Sequence, residues 1–104
     1  MKALSCPLFF DIFASKSRLA IIKAIWNKPK SVQEICEQTG LEQSNVSHQL
    51  KLLLRCHVVK ARRIGRNKIY GLENSIRPII KAADNHLKKH CKRRCGEWIK
   101  RNKK

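Results

Sequence analysis

Uncharged side chains that donate and accept hydrogen bonds are concentrated in residues 43–49. The set comprises Gln43, Ser44, Asn45, Ser47 and His48, and Lys51 follows it. Amides, hydroxyls and imidazoles form the hydrogen bonds that base edges and phosphate oxygens require. An ordinary solvated helix face is built more often from Glu, Lys and Ala, which favour the helix more strongly. We therefore interpret this segment as a nucleic-acid contact surface, with a plain solvated helix face as the alternative.

Positive charge dominates the composition. The 104 residues contain 24 Lys and Arg against 7 Asp and Glu, which gives a formal net charge of +17. Such an excess makes a polyanion the leading partner, with nucleic acid ahead of a membrane surface. Nine of the basic residues lie between Lys88 and Lys104, where they either attract phosphates non-specifically or serve solubility.

Several other classes of protein are excluded by the residue pattern. No Ser/His/Asp set, paired carboxylates or phosphate-binding loop is present, so we do not expect an enzyme. No apolar run approaches the roughly 20 residues of a membrane span, and the first residues are too few for a secretory leader. Five cysteines form an odd, sparse set that suits a reducing compartment. We expect a cytoplasmic protein.

Two short helices joined by a glycine turn must position the polar segment. Ser31-Val-Gln-Glu34 has the pattern of a capping box, and Gly40 suits the left-handed end of the helix that this box opens. The second helix is expected over about 43–55, with its apolar residues opposite the polar set. This arrangement predicts a helix-turn-helix.

A basic hairpin follows the second helix. Residues 58–72 contain two β-type runs around Gly65-Arg66, which suits a hairpin turn. A hairpin in this position is typical of the wing of a winged helix. Its cationic residues are placed for phosphates, namely Arg62, Arg63, Arg66 and Lys68.

Further helices flank this unit. Periodicity predicts two helices before it, at about 7–14 and 16–27, the second capped by Ser15 or Ser17. A long helix is expected from residue 75, capped by Asn74 or Ser75. Its apolar stripe comprises Ile76, Ile80, Ala83, Leu87, Cys91 and Trp98. A stripe that a small body cannot cover favours a second copy of the chain as partner.

The segment Ile35–Leu72 resembles the ArsR/SmtB family of small dimeric winged-helix repressors from bacteria and archaea. The resemblance is carried by GLEQSNVSHQLKLL at 40–53, by Val58-Val59, Arg62-Arg63 and Gly65-Arg66 with Tyr70, and by the helices around Phe10 to Ile22. It covers roughly residues 8–87. It implies a mainly α winged helix-turn-helix with a β-hairpin wing, dimerising through its first and last helices. We expect this DNA-binding domain over residues 1–90 and a basic C-terminal extension over 91–104.

The resemblance also assigns contacts to double-stranded DNA. It implies that Lys51 lies near the DNA backbone and that Arg66 and Lys68 form the tip of the wing. The residues implied to enter the major groove are Gln43, Ser44, Asn45, Ser47 and His48. One departure is Glu42, where relatives often have Ser or Thr as the N-cap. Glu caps a helix poorly, and its charge repels a nearby phosphate.

Metal-binding relatives use one of two ligand sets, and neither is complete here. Cysteines at the start of the third helix would match Ser31 and Gln33, so that site is absent. Of the last-helix set, Asp84 and His86 match, whereas the later pair falls on Glu97 and Lys100.

A different cluster lies nearby in the last helix. His86 and His90, and likewise Cys91 and Cys95, are four residues apart, so each pair shares a helix face. Thiolates select soft ions such as Zn(II), Cd(II) or As(III), and zinc sites also use imidazole nitrogen. The candidate metal ligands are therefore Asp84, His86, His90, Cys91 and Cys95. A thiol redox switch and simple packing of the cysteines are the alternatives.

The sequence thus predicts a homodimeric, sequence-specific transcriptional regulator, a repressor of the ArsR type. A metal, a metalloid or thiol oxidation is the candidate signal, and a repressor without an effector is the alternative. The alternative to a regulator is a non-specific architectural protein of the nucleoid type, driven by its charge. Rising salt separates the two, because only a specific binder retains its selectivity.

Overall fold

The computed structural model describes residues 1–90, while the expected extension over 91–104, including Cys91 and Cys95, lies outside the described residues. The chain divides into two compact units, Met1–Glu73 and the residues from Asn74 onward. The first unit contains a 3-10 turn Lys2–Ser5, helices α1 Pro7–Asp11, α2 Lys16–Ala24, α3 Val32–Thr39 and α4 Gln43–Arg55, and strands β1 Val59–Ile64 and β2 Asn67–Leu72. The second unit contains helix α5, Ile76–His90. No helix in residues 1–90 is long and apolar enough to cross a membrane.

The core of the first unit is aliphatic and is shared by α2, α3 and α4, which pack against one another. Its fully buried side chains are Ile21, Ile25, Ile35, Val46, Leu50, Leu53 and Val58. Burying one such side chain stabilises the fold by about 1.5–3 kcal/mol. Because Val46, Leu50 and Leu53 recur at helical spacing, their burial determines which face of α4 points outward.

Helix α3 begins and ends at the residues that the sequence predicts. Ser31 Oγ accepts a hydrogen bond from the Glu34 amide at 3.2 Å, and Glu34 Oε1 accepts one from the Ser31 amide at 3.0 Å. The hydrogen bond from the Ser31 amide lowers the pKa of Glu34. The ionised carboxylate therefore stabilises the fold at pH values above the ordinary pKa of glutamate, and this stabilisation is lost as the pH falls through the lowered pKa. Gly40 ends the helix in the left-handed conformation, with φ +76°. The predicted capping box and glycine end are both confirmed.

Helix α4 ends in a Schellman motif built on a histidine. His57 adopts φ +57°, its amide donates to the Leu54 carbonyl, and the Val58 amide donates to the Leu53 carbonyl at 2.9 Å. Glycine is the usual residue at this left-handed position. Val58 and Leu53, the two positions at which such a motif usually has apolar residues, are both fully buried. The motif fixes the direction in which the chain leaves α4 and enters β1.

Replacing His57 with glycine is expected to stabilise the protein by about 0.5–1 kcal/mol. The left-handed conformation costs a residue with a Cβ about 1–2 kcal/mol, and the greater freedom of glycine in the unfolded chain offsets part of the gain. Urea unfolding at fixed protein concentration measures the change. His57→Ala serves as the control because it keeps the Cβ, and equal stability of the two variants would contradict this account.

The hairpin is antiparallel, with Val59 opposite Leu72 and Ile64 opposite Asn67. Gly65 lies in its turn with φ +62°. Lys30 pairs with Tyr70 through two backbone hydrogen bonds of 2.8 and 2.9 Å, so the segment before α3 lies along the outer edge of β2. This pairing attaches the base of the hairpin to the helical core.

Some boundaries differ from the prediction. The helix expected over 7–14 ends at Asp11, and the one expected over 16–27 ends at Ala24, with Ser15 rather than Ser17 as its N-cap. Ile25 has left helical dihedrals, with φ −102° and ψ 9°, and the Trp26 amide donates to the Lys23 carbonyl three residues back, so α2 ends at Ala24. The last helix, expected from residue 75, spans Ile76–His90 as described.

Candidate nucleic-acid interface

All six residues proposed for the recognition surface lie on α4. Gln43, Ser44, His48 and Lys51 are exposed, while Asn45 and Ser47 are half-buried. The three leucine and valine positions that face the core lie on the opposite side of the helix. The helix thus presents hydroxyl, amide and imidazole groups to the solvent from its first two turns.

The start of α4 has no side-chain cap. Glu42 occupies the N-cap position but accepts no hydrogen bond from the helix, as expected for a poor capping residue. The N–H groups of the first turn can therefore donate to an external acceptor such as a phosphate oxygen. The Glu42 carboxylate opposes the approach of such an anion.

A chain of hydrogen bonds links the exposed face of α4 to the end of α1. Arg18 donates from Nε to the Ile12 carbonyl at 2.8 Å and from Nη2 to the Asp11 carbonyl at 3.2 Å. Its Nη1 donates to Gln49 Oε1 at 2.9 Å, and Gln49 Nε2 donates to Asn45 Oδ1 at 3.2 Å. One arginine therefore braces the middle of α4 against the first two helices.

The cations of the hairpin point in different directions. Arg63 lies opposite Lys68 on one face, together with Tyr70, whose ring centroid is 5.7 Å from Lys68 Nζ. Arg62 lies opposite Ile69 on the other face, and Arg66 lies in the turn. All four cations are exposed. The hairpin presents positive charge on both faces and at its tip, a distribution that can follow a phosphate backbone.

Reversing the charges at the tip, with Arg66→Glu and Lys68→Glu, is expected to weaken DNA binding and to flatten its salt dependence. Each lost phosphate contact lowers the slope of log K against log salt by about 0.9. Anisotropy titrations at several salt concentrations measure this slope. Lys16→Glu with Lys23→Glu, two exposed positions on α2, is the control with the same change in net charge. If log K falls with log salt at the same slope in both double variants, the hairpin does not contact the DNA.

On α5 the structure brings together two of the candidate metal ligands. The rings of His86 and His90 have centroids 4.8 Å apart. Asp84 pairs with Lys88 at 3.2 Å, and helical geometry places that pair on the side away from the histidines. Within residues 1–90 no group of three or more His, Cys, Asp or Glu side chains is assembled for a metal ion. Cys91 and Cys95 lie outside the described residues.

The other three cysteines are free thiols. Cys36 and Cys56 are half-buried in the helix-turn-helix, and Cys6 is exposed near the first residues. Partly buried free thiols of this kind commonly act as small packing residues.

Two residues of the hydrogen-bond chain were missing from the predicted site. Helical periodicity places Gln49 on the polar face of α4, but it does not predict the hydrogen bond that Gln49 accepts from Arg18. Arg18 precedes Gln49 by 31 residues, and no local pattern relates the two positions.

Helices α3 and α4 joined at Gly40, followed by the antiparallel hairpin, define a winged helix-turn-helix. Residues 15–61 match the family model described as bacterial regulatory protein, arsR family. Over 80 residues the chain is 34% identical to the transcriptional repressor SmtB homolog of Synechocystis sp., covering 76% of this chain and 61% of that protein. The chain belongs to the arsR family of bacterial regulatory proteins.

Solved structures show the same fold. The crystal structure of Rv0081 from Mycobacterium tuberculosis superposes with a TM-score of 0.76 at 33% identity, covering 85% of this chain and 89% of that one. The solution structure of the homodimeric winged helix-turn-helix DNA-binding domain of Mb0332 from Mycobacterium bovis also gives a TM-score of 0.76, at 21% identity, covering 83% and 81%. The chain spans 49 to 61% of the length of the curated relatives that it matches at 34 to 42% identity.

Proposed function

We propose that this chain is a sequence-specific DNA-binding transcriptional regulator, a repressor that binds as a homodimer. The observation that carries the proposal is the face of α4, where uncharged hydrogen-bonding side chains lie opposite the buried Val46, Leu50 and Leu53. Membership of the arsR family and the net charge of +17 support it.

In this proposal α4 is the recognition helix and the β1–β2 hairpin is the wing. Base edges in the major groove are read by Gln43, Ser44, Asn45, Ser47 and His48. Lys51 lies near the phosphate backbone, and Arg62, Arg66 and Lys68 of the wing neutralise phosphates beside the groove. The base contacts supply sequence preference, whereas the cations supply affinity that depends on salt.

The proposed homodimer is supported by exposed apolar side chains in both units. Leu4, Leu8 and Phe10 are 53 to 76% exposed near the first residues, and Leu87 of α5 is 49% exposed. Large apolar side chains exposed on each unit favour an association surface there, and Mb0332, which shares the fold, is described as homodimeric. Sedimentation equilibrium tests the proposal, which predicts a dimer mass at micromolar concentration and is contradicted by a monomer mass there.

A metal effector is the second part of the proposal, and the adjacent His86 and His90 rings favour it. Two imidazoles on one helix face can donate to a Zn(II) or Cd(II) ion, with Cys91 and Cys95 as the proposed thiolate ligands. Asp84 is paired with Lys88 on the other side of α5, so it does not join the histidines at one ion. As(III) would use the thiolates. Binding there would shift the dimer to a geometry in which the two recognition helices no longer match the spacing of the half-sites.

The double variant His86→Ala/His90→Ala is expected to bind Zn(II) at least about tenfold more weakly than the unmodified protein, because two ligands are removed. Competition with a chromophoric chelator measures the affinity. His48→Ala/His57→Ala, which removes two exposed histidines elsewhere, is the control. Equal loss in both double variants would contradict a site on α5.

A salt titration separates the regulator from the architectural alternative. Anisotropy of the reduced, metal-free protein would be measured on the DNA upstream of its own gene and on a scrambled duplex of equal length. We expect the upstream duplex to bind about 10³-fold or more tightly, with the ratio maintained as salt rises. If the protein binds the upstream and the scrambled duplex equally well, and both affinities fall together as salt rises, the architectural protein is favoured and the proposal is overturned.

A further inference from the structure

The orientation of the Gln49 side-chain amide follows from the chemistry of its neighbours. Arg18 carries only donors, so the atom that faces it at 2.9 Å must be the Gln49 carbonyl oxygen. The NH2 group of Gln49 is then the group within reach of Asn45, at 3.2 Å from its Oδ1. Arg18 is itself held by the Ile12 and Asp11 carbonyls, so its position does not depend on Gln49.

The bond from Gln49 also determines which group of the Asn45 amide can bind a ligand. Its oxygen accepts from Gln49, which leaves its own NH2 group as the unused side of the amide. In the major groove this group can donate to purine N7, guanine O6 or thymine O4, but it meets a like donor at cytosine N4. Asn45 is half-buried, so its freedom to rotate away from Gln49 is limited.

We propose that Arg18, acting through Gln49, is a positioning residue that sets Asn45 as a hydrogen-bond donor and thereby determines the base preferred opposite it. The inference rests on the proposed function, because it assumes that α4 reads bases in the major groove. It goes beyond that function by assigning the polarity of one contact and by giving a role to two residues that need not touch DNA.

Selection from a duplex library with a randomised centre tests the inference without a known operator. The key variant is Gln49→Glu, whose carboxylate still accepts from Arg18 but cannot donate to Asn45. Asn45 must then turn its NH2 group toward Glu and present its oxygen outward. We expect the preference at one position per half-site to move toward a base donor, cytosine N4 or adenine N6, by about tenfold or more.

Two further variants show whether a change in base preference comes from the hydrogen-bond network. Gln38→Glu, at an exposed position on α3, repeats the change in charge away from the network and should select the same sequence as the unmodified protein. Arg18→Lys keeps the charge but loses the planar fork, so it should relax the preference at that one position while the salt slope stays the same.

The outcomes distinguish the two levels of the proposal. If the unmodified protein selects no sequence, the proposed function fails and this inference falls with it. If the unmodified protein selects a sequence and Gln49→Glu selects the same one, as Gln38→Glu does, the proposed function stands and the role of Arg18 and Gln49 is overturned.

Discussion

Replacing Ser47 and His48 together with alanine is expected to weaken binding to the preferred duplex by about 30-fold or more. A base contact contributes about 1–3 kcal/mol of discrimination, and 1.4 kcal/mol corresponds to a factor of ten. Binding to a scrambled duplex should change little, because the phosphate contacts of the cations are retained. Anisotropy titrations with both duplexes at one salt concentration measure the two affinities.

The fold should survive this double change. Neither Ser47 nor His48 is among the buried residues of α4, which are Val46, Leu50 and Leu53. Alanine also favours a helix more than serine or histidine does. Circular dichroism and the urea midpoint of the variant check that point. Asn27→Ala, in the exposed turn after α2, is the control and should retain full selectivity. A double variant that binds its preferred duplex as tightly as the unmodified protein would exclude α4 as the reading element.

Replacing Ile35 with alanine is expected to destabilise the protein by about 2–5 kcal/mol. Ile35 lies on α3 and is completely buried, in a core that α2 and α4 complete. Truncation of such a residue removes apolar burial and leaves a cavity that the neighbours fill only in part. Because a domain has about 5–15 kcal/mol of stability, this loss is a large share of the total. Urea unfolding at fixed protein concentration measures it.

The matched control is Ile64→Ala, the same substitution at the end of β1, where the side chain is 55% exposed. We expect it to cost less than about 1 kcal/mol. Equal losses at Ile35 and Ile64 would mean that the helix-turn-helix core described above does not dominate the stability of the chain.

Elements with local signals could be predicted from the sequence. The capping box at Ser31 and Glu34, the turn at Gly40 and the apolar spacing of Val46, Leu50 and Leu53 each depend on residues less than a few turns apart. The same holds for the hairpin, whose β-type runs are separated by the Gly65 turn. These local patterns were sufficient to predict a winged helix-turn-helix and the polar face of α4.

Features that depend on distant residues could not be predicted in this way. The bond from Arg18 to Gln49 and the pairing of Lys30 with Tyr70 join positions that are brought together only by packing. The left-handed conformation at position 57 is adopted by a histidine, whereas a glycine there would have predicted it. The arginines of the hairpin were predicted as one group, but the register divides Arg62 from Arg63 onto opposite faces.

Methylation interference shows whether α4 reads base edges in the major groove. Dimethyl sulfate methylates guanine N7 in the major groove and adenine N3 in the minor groove, and the bound and unbound fractions of a selected duplex reveal which methyl groups block binding. We expect interference at guanine N7 in two half-sites centred about 10 base pairs apart, as two recognition helices of a dimer require. Interference confined to adenine N3, or its absence at every guanine of the selected sequence, would contradict major-groove reading by α4.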